Sequence, residues 1–288
     1  MSKKKISKMN RTLLPDLIGA ELDKISDENK RRSRARFILA ALSSIPWVGG
    51  FLSAMATRDA EKEQSQTNQL QQFWLQEHQD KVQKLGYALI QILGRLEDFG
   101  TDIQERIESP EYLALVRKGF RSWDLADTEE KRELIRKLLT SAGAIKLCED
   151  DLIRLFIDWI DKYHEAHFKV IKEIYQKQEI TRGEIWDNIK GDRPRDNSSE
   201  ADLFKLLIDD LSTGHVIRQK TEITMDGRLV KRQAAKRPKG YTAPSTKTSA
   251  FENTKPYVLT ELGKLFVHYT MEEITTRIEG QKQTPNTG

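Results

Sequence analysis

Residues 181–232 read TRGEIWDNIKGDRPRDNSSEADLFKLLIDDLSTGHVIRQKTEITMDGRLVKR, and this stretch predicts how the last third of the chain folds. Thr181 and Glu184 have the spacing of a capping box, which indicates that a short helix begins here. After a polar loop, residues 200–211 form a second predicted helix. The apolar positions of that helix are Leu203, Leu206, Leu207 and Leu211. The stretch therefore opens with two consecutive helices.

A β-hairpin is predicted after these helices. Residues 215–223 are strand-like, Asp226-Gly227 favours a tight turn, and residues 228–232 supply the returning strand. Ahead of the capping box, residues 149–176 have the apolar spacing of one long helix. Three helices followed by a hairpin is the order of a winged helix-turn-helix module, so the sequence predicts such a module.

Residues 257–266, YVLTELGKLF, indicate how this module ends. A short strand runs into Thr260, which is placed to cap a terminal helix. Winged-helix regulators commonly pass from the third strand to the last helix through a similar Y-x-L-T-x-L-G pattern, which supports this fold over residues 165–270. Residues 233–256, rich in Pro, Gly, Ser, Thr and Lys, predict a flexible loop. The residues expected to share the core of the module are Leu203, Leu207 and Leu262.

The middle of the chain predicts a helical bundle. Residues 60–99 contain no proline, and their apolar residues recur at alternating steps of four and three, which is typical of a long amphipathic helix. Ser109-Pro110 supplies the N-cap and first-turn proline of another helix. Asp127 with Glu130 gives a further start signal. The stripe of the long helix comprises Leu85, Leu89, Ile92, Leu96 and Phe99.

Residues 37–56 read FILAALSSIPWVGGFLSAMA and contain no charged side chain. About 20 apolar residues suffice to cross a bilayer, and the basic cluster within residues 31–36 is typical of the cytoplasmic end of a span. Pro46 and Gly49-Gly50 divide the run, however, so a buried helical hairpin is the alternative. Under the membrane alternative, the inserting residues are Phe37, Ile38, Leu39, Leu42, Ile45, Trp47, Val48, Phe51 and Leu52.

These signals divide the chain of 288 residues into consecutive segments. The predicted segments are a basic N-terminal arm (1–36), an apolar segment or hairpin (37–56), a helical domain (57–148), a long helix plus winged helix-turn-helix module (149–275), and a disordered tail (276–288). The predicted fold class is mainly α, a helical bundle with a long amphipathic helix and an apolar helical hairpin, followed by an α+β winged-helix module.

The charge balance favours local rather than global contact with nucleic acid. The chain has 48 Lys and Arg against 44 Asp and Glu, a net charge of +4. The second helix of the module carries Glu200, Asp202, Asp209 and Asp210 against Lys205, so duplex DNA is expected to avoid it. The hairpin is basic, and it either binds a polyanion or is merely solvated. The polyanion-binding candidates are Arg218, Lys220, Arg228, Lys231, Arg232, Lys236 and Arg237.

The sequence offers no recognisable catalytic signature. It has no Gly-rich phosphate loop, nucleophile elbow or zinc-spaced cysteines. His164-Glu-Ala-His167 lacks the four-residue histidine spacing of a zinc-binding helix, which favours a helix-surface or packing role over a metal site. We therefore predict a non-enzymatic protein without cofactor or metal. Cys148 is the single cysteine, which excludes an intrachain disulfide and favours a reducing compartment, the cytoplasm.

Two stretches of the chain resemble a family of bacterial phage-defence proteins. The first contains SPEYLALVRKGF from Ser109 and TEEKRELIRKLLTSA from Thr128, and the second is Leu259-Thr260-Glu261-Leu262-Gly263. They resemble Abi-alpha-like proteins, in which such helices lie downstream of an apolar segment and upstream of a C-terminal module with a Leu-Thr-x-Leu-Gly motif. The resemblance covers residues 37–145 and 257–267. It implies a role in abortive infection and brings no catalytic residues. The IPWVGG core and the basic hairpin depart from the family, so the resemblance names no ligand.

Two functions are compatible with these patterns. In the first, the apolar segment forms an oligomeric pore or channel at the inner membrane, controlled by the winged helix as a sensor of a nucleic-acid ligand or another phage-linked trigger. The protein is then a homo-oligomer that works with a partner protein encoded nearby. In the second, the apolar segment is core and the protein is a soluble regulator whose winged helix binds DNA or a protein.

Overall fold

The computed structural model describes residues 22, 23, 25, 27–50, 69–99, 103–220 and 249–272. They form two compact units, one ending at Asp161 and one comprising Lys162–Glu272. The mainly helical architecture is confirmed, and a small antiparallel two-stranded sheet accompanies the helices. The second unit thus begins thirteen residues after the predicted boundary at residue 149.

The N-terminal unit is a bundle of helices. They are α1 (Glu28–Ser43), α2 (Gln69–Asp98), α3 (Gln104–Glu108), α4 (Pro110–Leu125), α5 (Glu129–Ala144) and α6 (Asp150–Lys162), whose last residue already belongs to the second unit. Helix α1 packs against α3 and α4, and α5 packs against α2 and α4. Helix α4 therefore has neighbours on two sides.

The helix-start signals of this unit are borne out to within one residue. Ser109 caps α4, where its hydroxyl oxygen accepts a hydrogen bond from the Tyr112 backbone N–H at 3.2 Å. Thr128, rather than the predicted Asp127, caps α5 and accepts from the Lys131 backbone N–H at 3.3 Å. Asp127 instead pairs with the Lys131 ammonium group at 3.2 Å. Asp and Thr are both good N-caps, so a cap shifted by one residue is compatible with the same sequence.

The long amphipathic helix is confirmed as α2. Its predicted residues Leu85, Leu89, Ile92 and Leu96 are buried, whereas Phe99 lies beyond the end of the helix and is half-buried. The buried residues follow the four-and-three spacing that places them on one face. The earlier part of the prediction, residues 60–68, lies outside the described residues.

The prediction of an arm over residues 1–36 is wrong for its last part. Asp27 caps α1, and its carboxylate accepts hydrogen bonds from the backbone N–H groups of Asn29 and Lys30 at 2.9 and 3.2 Å. The basic cluster therefore lies within a helix that continues into the apolar segment. Arg31 and Arg34 pair there with Asp23 and Glu97. Basic residues are as common on the surface of a helix as in an unstructured arm. Charge alone therefore did not predict that the helix begins before residue 36.

The described part of the apolar segment contributes to the core of the N-terminal unit. Helix α1 ends at Ser43, and a further helical turn occupies residues 46–50. Phe37 is fully buried, with its ring stacked on Tyr112 and edge-on to Phe120, at centroid distances of 6.3 Å in both cases. Ile38, Ile45 and Val48 are also buried, Leu42 and Trp47 are half-buried, and Leu39 is exposed, while Phe51 and Leu52 lie outside the described residues. Among the described helices, none has the length and apolar character needed to cross a membrane.

The C-terminal unit combines four helices with the sheet in the residues that are described. Its elements are α7 (Glu165–Lys177), α8 (Arg182–Ile189), α9 (Ser199–Thr213), β1 (Ile217–Gln219), β2 (Tyr257–Leu259) and α10 (Glu261–Thr270). Helix α7 packs against α8, α9, α10 and β2. Thr181 and Glu184 form the predicted capping box at the start of α8. Thr260 caps α10, also as predicted.

The predicted single helix over residues 149–176 is wrong, because it is interrupted between α6 and α7. His164 has an extended backbone, with φ −86° and ψ 163°, and its backbone N–H donates to Nδ1 of His167 at 3.1 Å. This local bond gives the backbone an alternative to helical hydrogen bonding. Tyr163 and His167 are buried on either side of the break, so the apolar spacing continues across it and conceals it.

The sheet joins distant parts of the unit. Strands β1 and β2 are antiparallel, with Ile217 opposite Leu259 and Arg218 opposite Val258. Ile180, between α7 and α8, adds a bridge to the other side of Tyr257. The predicted returning strand at 228–232 and the flexible loop at 233–256 lie outside the described residues, apart from the loop's last residues from 249 onward.

Helix α9 is rotated by about one position from the predicted inward face. Leu207 and Leu211 are buried as predicted, but Leu203 and Leu206 are 55% and 54% exposed. Phe204 and Ile208 fill the inward positions instead, and Leu262 is half-buried rather than central. Residues 204, 207, 208 and 211 follow the three-and-four spacing of a helix face. The prediction of a shared core for Leu203, Leu207 and Leu262 is therefore confirmed only for Leu207.

Candidate polyanion-binding cleft

A cleft of about 440 Å³ lies on the C-terminal unit beside the sheet. Its lining residues come from α7 and the turn after it, from the two strands and the residue that follows β1, and from the first turn of α10. The lining residues are Ile174, Tyr175, Gln178, Glu179, Arg218, Lys220, Val258, Leu259, Glu261 and Lys264. The cleft therefore combines apolar side chains with a concentration of charged groups.

The cations of the cleft are Arg218, Lys220 and Lys264. Lys220 pairs with Glu179 at 2.5 Å, and Lys264 pairs with Glu261 one helical turn away at 2.8 Å. Arg218 has a buried Nε that lacks a hydrogen-bond partner among the described residues. The Arg218 side chain lines the cleft, where its guanidinium is suited to make charge-assisted hydrogen bonds with an anionic oxygen.

The turn at the edge of the cleft has an unusual backbone. Gln178 and Glu179 have φ values of 30° and 69°, in the left-handed region that non-glycine residues seldom adopt. This conformation ends α7 and brings the Glu179 carboxylate to Lys220. Such strain persists only where neighbouring structure holds it. The bridge between Ile180 and Tyr257, with N–O distances of 2.8 and 3.3 Å, provides that support directly after the turn.

The Leu-Thr-x-Leu-Gly motif positions the first turn of α10 against the strands. The Thr260 hydroxyl accepts from the Gly263 backbone N–H at 3.0 Å and donates to the His215 carbonyl oxygen at 2.6 Å. A Cβ on Gly263 would lie 2.1 Å from the Val216 carbonyl oxygen. Thr260 thus supplies the hydrogen bonds at the start of α10, and Gly263 allows the helix to approach the strand closely. This geometry places Lys264 at the cleft.

Helix α9 presents a different surface. Its exposed residues include Asp202, Leu203, Leu206 and Asp209, with Glu200 in the first turn. Lys205 is half-buried and lies 3.9 Å from the carboxylate of Asp202. A face of carboxylates and leucines disfavours a phosphate backbone, because affinity for nucleic acid comes largely from Lys and Arg.

The structure brings two of the predicted polyanion-binding residues together, Arg218 and Lys220. The other five, Arg228, Lys231, Arg232, Lys236 and Arg237, lie outside the described residues. Sequence reasoning missed Lys264, because the residue is separated from β1 by more than forty positions and joins the cleft only through strand pairing. The capping Thr260 four residues earlier was the available signal for where α10 begins.

The two histidines of the His164–His167 pair lie at the start of α7, where His164 is exposed and His167 is buried. His167 is buried, its Nδ1 accepts from the His164 backbone, and its Nε2 lies 3.6 Å from the Asp210 carboxylate. Within the described residues, no group of three His, Cys, Asp or Glu side chains is arranged to hold a metal ion. The pair therefore fixes the start of α7 next to α9.

Lowering the pH is expected to destabilise the C-terminal unit through His167. Burial lowers the pKa of His167, while Asp210 partly opposes the shift. Below about pH 6.5 the unfolded chain takes up a proton on this residue that the folded unit does not bind, so stability falls with the pH, by at most about 1.4 kcal/mol per unit. Urea unfolding at about pH 7.5 to 5.5 measures the effect. His167→Gln should flatten the profile, and identical profiles would contradict the assignment.

Comparison with known proteins identifies no relative of this chain. No family model matches it, and neither a curated protein nor a solved structure matches it significantly.

Proposed function

We propose that the C-terminal unit is a winged helix-turn-helix module. Helices α7, α8 and α9 correspond to its three helices, and β1 and β2 correspond to the strands that flank the wing. Three features support this proposal. Ile180, which lies between α7 and α8, forms a β-bridge with Tyr257 of β2. Strand β1 pairs antiparallel with β2, and α10 follows β2 directly.

We propose further that this module binds nucleic acid through the cleft rather than through α9. The observation that carries the proposal is Arg218, whose buried Nε lacks a partner among the described residues and which shares the cleft with Lys220 and Lys264. Phosphate oxygens match such a group, since Arg binds phosphate through charge-assisted hydrogen bonds. The acidic face of α9 is then directed away from the phosphates.

The regulator alternative is supported better than the membrane effector. Phe37, Ile38, Ile45 and Val48 are buried among protein side chains of the N-terminal unit, as a core hairpin requires. We therefore propose a non-enzymatic regulator in which the helical unit carries the nucleic-acid-binding module. Partition of the protein between membrane and soluble fractions, with and without detergent, tests this choice, since recovery only with membranes would reverse it.

The proposed biological setting is bacterial anti-phage defence. It rests on the resemblance of the Ser109 and Thr128 stretches and the Leu-Thr-x-Leu-Gly motif to Abi-alpha-like proteins. Plating efficiency and survival of phage-challenged cells with and without the gene would test it. Equal values over a broad phage panel would remove the defence role and leave the binding proposal intact.

Neutralising the cleft is expected to weaken binding to a labelled duplex oligonucleotide. Arg218→Gln combined with Lys264→Gln should raise the Kd roughly tenfold or more and reduce the slope of log affinity against log salt by about 2, because each lost phosphate contact removes about one. Fluorescence anisotropy over a salt series measures both quantities.

Lys205→Gln is the matched control for this experiment. It removes one cation from α9 and should leave the Kd unchanged. Circular dichroism of each variant establishes that the fold is kept. Loss of binding from Lys205→Gln, with the cleft variant binding normally, would contradict the proposal.

A further inference from the structure

A second cavity of the C-terminal unit has a different character from the cleft. It has a volume of about 540 Å³ and lies between α7, α8 and α9. Its apolar lining consists of Val170, Trp186, Ile189, Leu203, Phe204 and Leu207. Pockets of about 300–1,000 Å³ with apolar lining are typical of sites for small molecules.

Two of the residues that line this pocket are aromatic. Trp186 and Phe204 are buried and lie edge-to-face, with ring centroids 5.3 Å apart. The Trp186 indole N–H donates to the Asp192 carbonyl oxygen at 3.0 Å, so the polar atom of this side chain is already satisfied. Both rings also contact Phe251, at centroid distances of 5.1 and 6.0 Å, so an apolar group that enters the pocket meets a packed aromatic cluster.

Leu203 and Leu206 distinguish the pocket from the rest of the α9 surface. Both leucines are about half exposed, but only Leu203 lines the pocket. Leu203 loses its contact with water when an apolar group enters, which favours binding. Leu206 gains nothing from the same ligand and thus offers a control on the same helix.

Three lysines give the pocket a cationic rim. Lys169 and Lys172 extend from α7 and Lys190 from the end of α8. All three are exposed, and none has an ion-pair partner in the part of the chain that the structure describes. The rim also includes the carboxylates of Glu173 and Glu200, and Glu173 already accepts a hydrogen bond from the Asn188 side chain at 3.0 Å.

We propose that this pocket binds a small amphiphilic molecule with an apolar, ring-sized body and a single anionic head group. The body fits against Trp186 and Phe204, and a carboxylate, sulfonate or phosphate head is held by the lysines. A site of this size takes a small molecule more readily than an extended partner. The site is separate in its lining from the cleft, so the inference does not depend on nucleic-acid binding.

The anionic dye 1-anilinonaphthalene-8-sulfonate and its uncharged analogue N-phenyl-1-naphthylamine test this proposal with the full-length protein. They share an apolar body and differ in the sulfonate. The sulfonate dye should bind saturably with one high-affinity site. Leu203→Gln should weaken it roughly tenfold, and Leu206→Gln should leave it unchanged. Lys172→Gln should weaken the sulfonate dye by roughly fivefold but not the uncharged one.

Further controls make each outcome decisive. Lys264→Gln should not alter dye binding, which separates this pocket from the cleft, and circular dichroism establishes that each variant is folded. Equal losses in the Leu203 and Leu206 variants, equal losses of both dyes in the Lys172 variant, or no saturable site in the wild type would each overturn the proposal.

Discussion

Replacing Phe37 with alanine is expected to lower the free energy of unfolding of the N-terminal unit by about 3–5 kcal/mol. The ring is fully buried between Tyr112 and Phe120, so its removal forfeits apolar burial and leaves a cavity. Urea unfolding followed by circular dichroism measures the loss. If Phe37 faced lipid, the same substitution would instead reduce partition of the protein into membranes and leave its stability in solution nearly unchanged.

Leu39→Ala is the matched control on the same helix. Leu39 is 65% exposed, and surface substitutions of this kind usually change stability by less than about 0.5 kcal/mol. A small effect at Leu39 and a large one at Phe37 is the pattern of a helix with one buried face. Equal effects, or no loss at Phe37, would contradict the assignment of this segment to the core.

The second large effect is expected from Gly263→Ala, which should destabilise the C-terminal unit by about 3 kcal/mol, near the upper end of the usual cost of overpacking. The added Cβ would lie 2.1 Å from the Val216 carbonyl oxygen, which belongs to backbone and cannot rotate away. Relief requires that α10 move from the strand junction, so the cleft is expected to open as well. Thermal unfolding and oligonucleotide affinity should therefore both decrease.

Gly94→Ala is the control for this substitution. It makes the same chemical change, but it is expected to increase stability rather than decrease it. Gly94 lies exposed within α2, and an added Cβ meets no atom within 4 Å. Alanine there should stabilise the helix by about 0.5–1 kcal/mol. A tolerated Gly263→Ala would mean that α10 does not approach Val216 closely.

The helix boundaries that the sequence predicted well were those with a local chemical signal. Ser109-Pro110, Thr181 with Glu184, and Thr260 each satisfy backbone N–H groups within one turn, so the signal and its consequence lie in the same few residues. The interruption at His164 was not predicted. Its local signal is a hydrogen bond from the His164 backbone to the His167 ring, and the helical spacing of buried residues continues across the break.

Side-chain placement on α9 shows a different limit. A run such as Leu203, Phe204, Leu206, Leu207 and Ile208 contains two overlapping helical faces, and tertiary packing decides which of them is buried. Packing buried Phe204, Leu207 and Ile208 and left Leu203 and Leu206 exposed. Charge composition located Arg218 and Lys220, but the cleft itself depends on strand pairing across a long separation, which local patterns do not encode.

Hydrogen exchange of the full-length protein, with and without a saturating duplex oligonucleotide, tests the central claim most directly. We predict slower exchange of backbone N–H groups in β1, β2 and the first turn of α10, with α9 unchanged. These groups surround Arg218 and Lys264, whereas α9 carries Asp202 and Asp209. Protection confined to residues 199–213, or none around the cleft at saturating oligonucleotide, would contradict the claim that the cleft is the nucleic-acid interface.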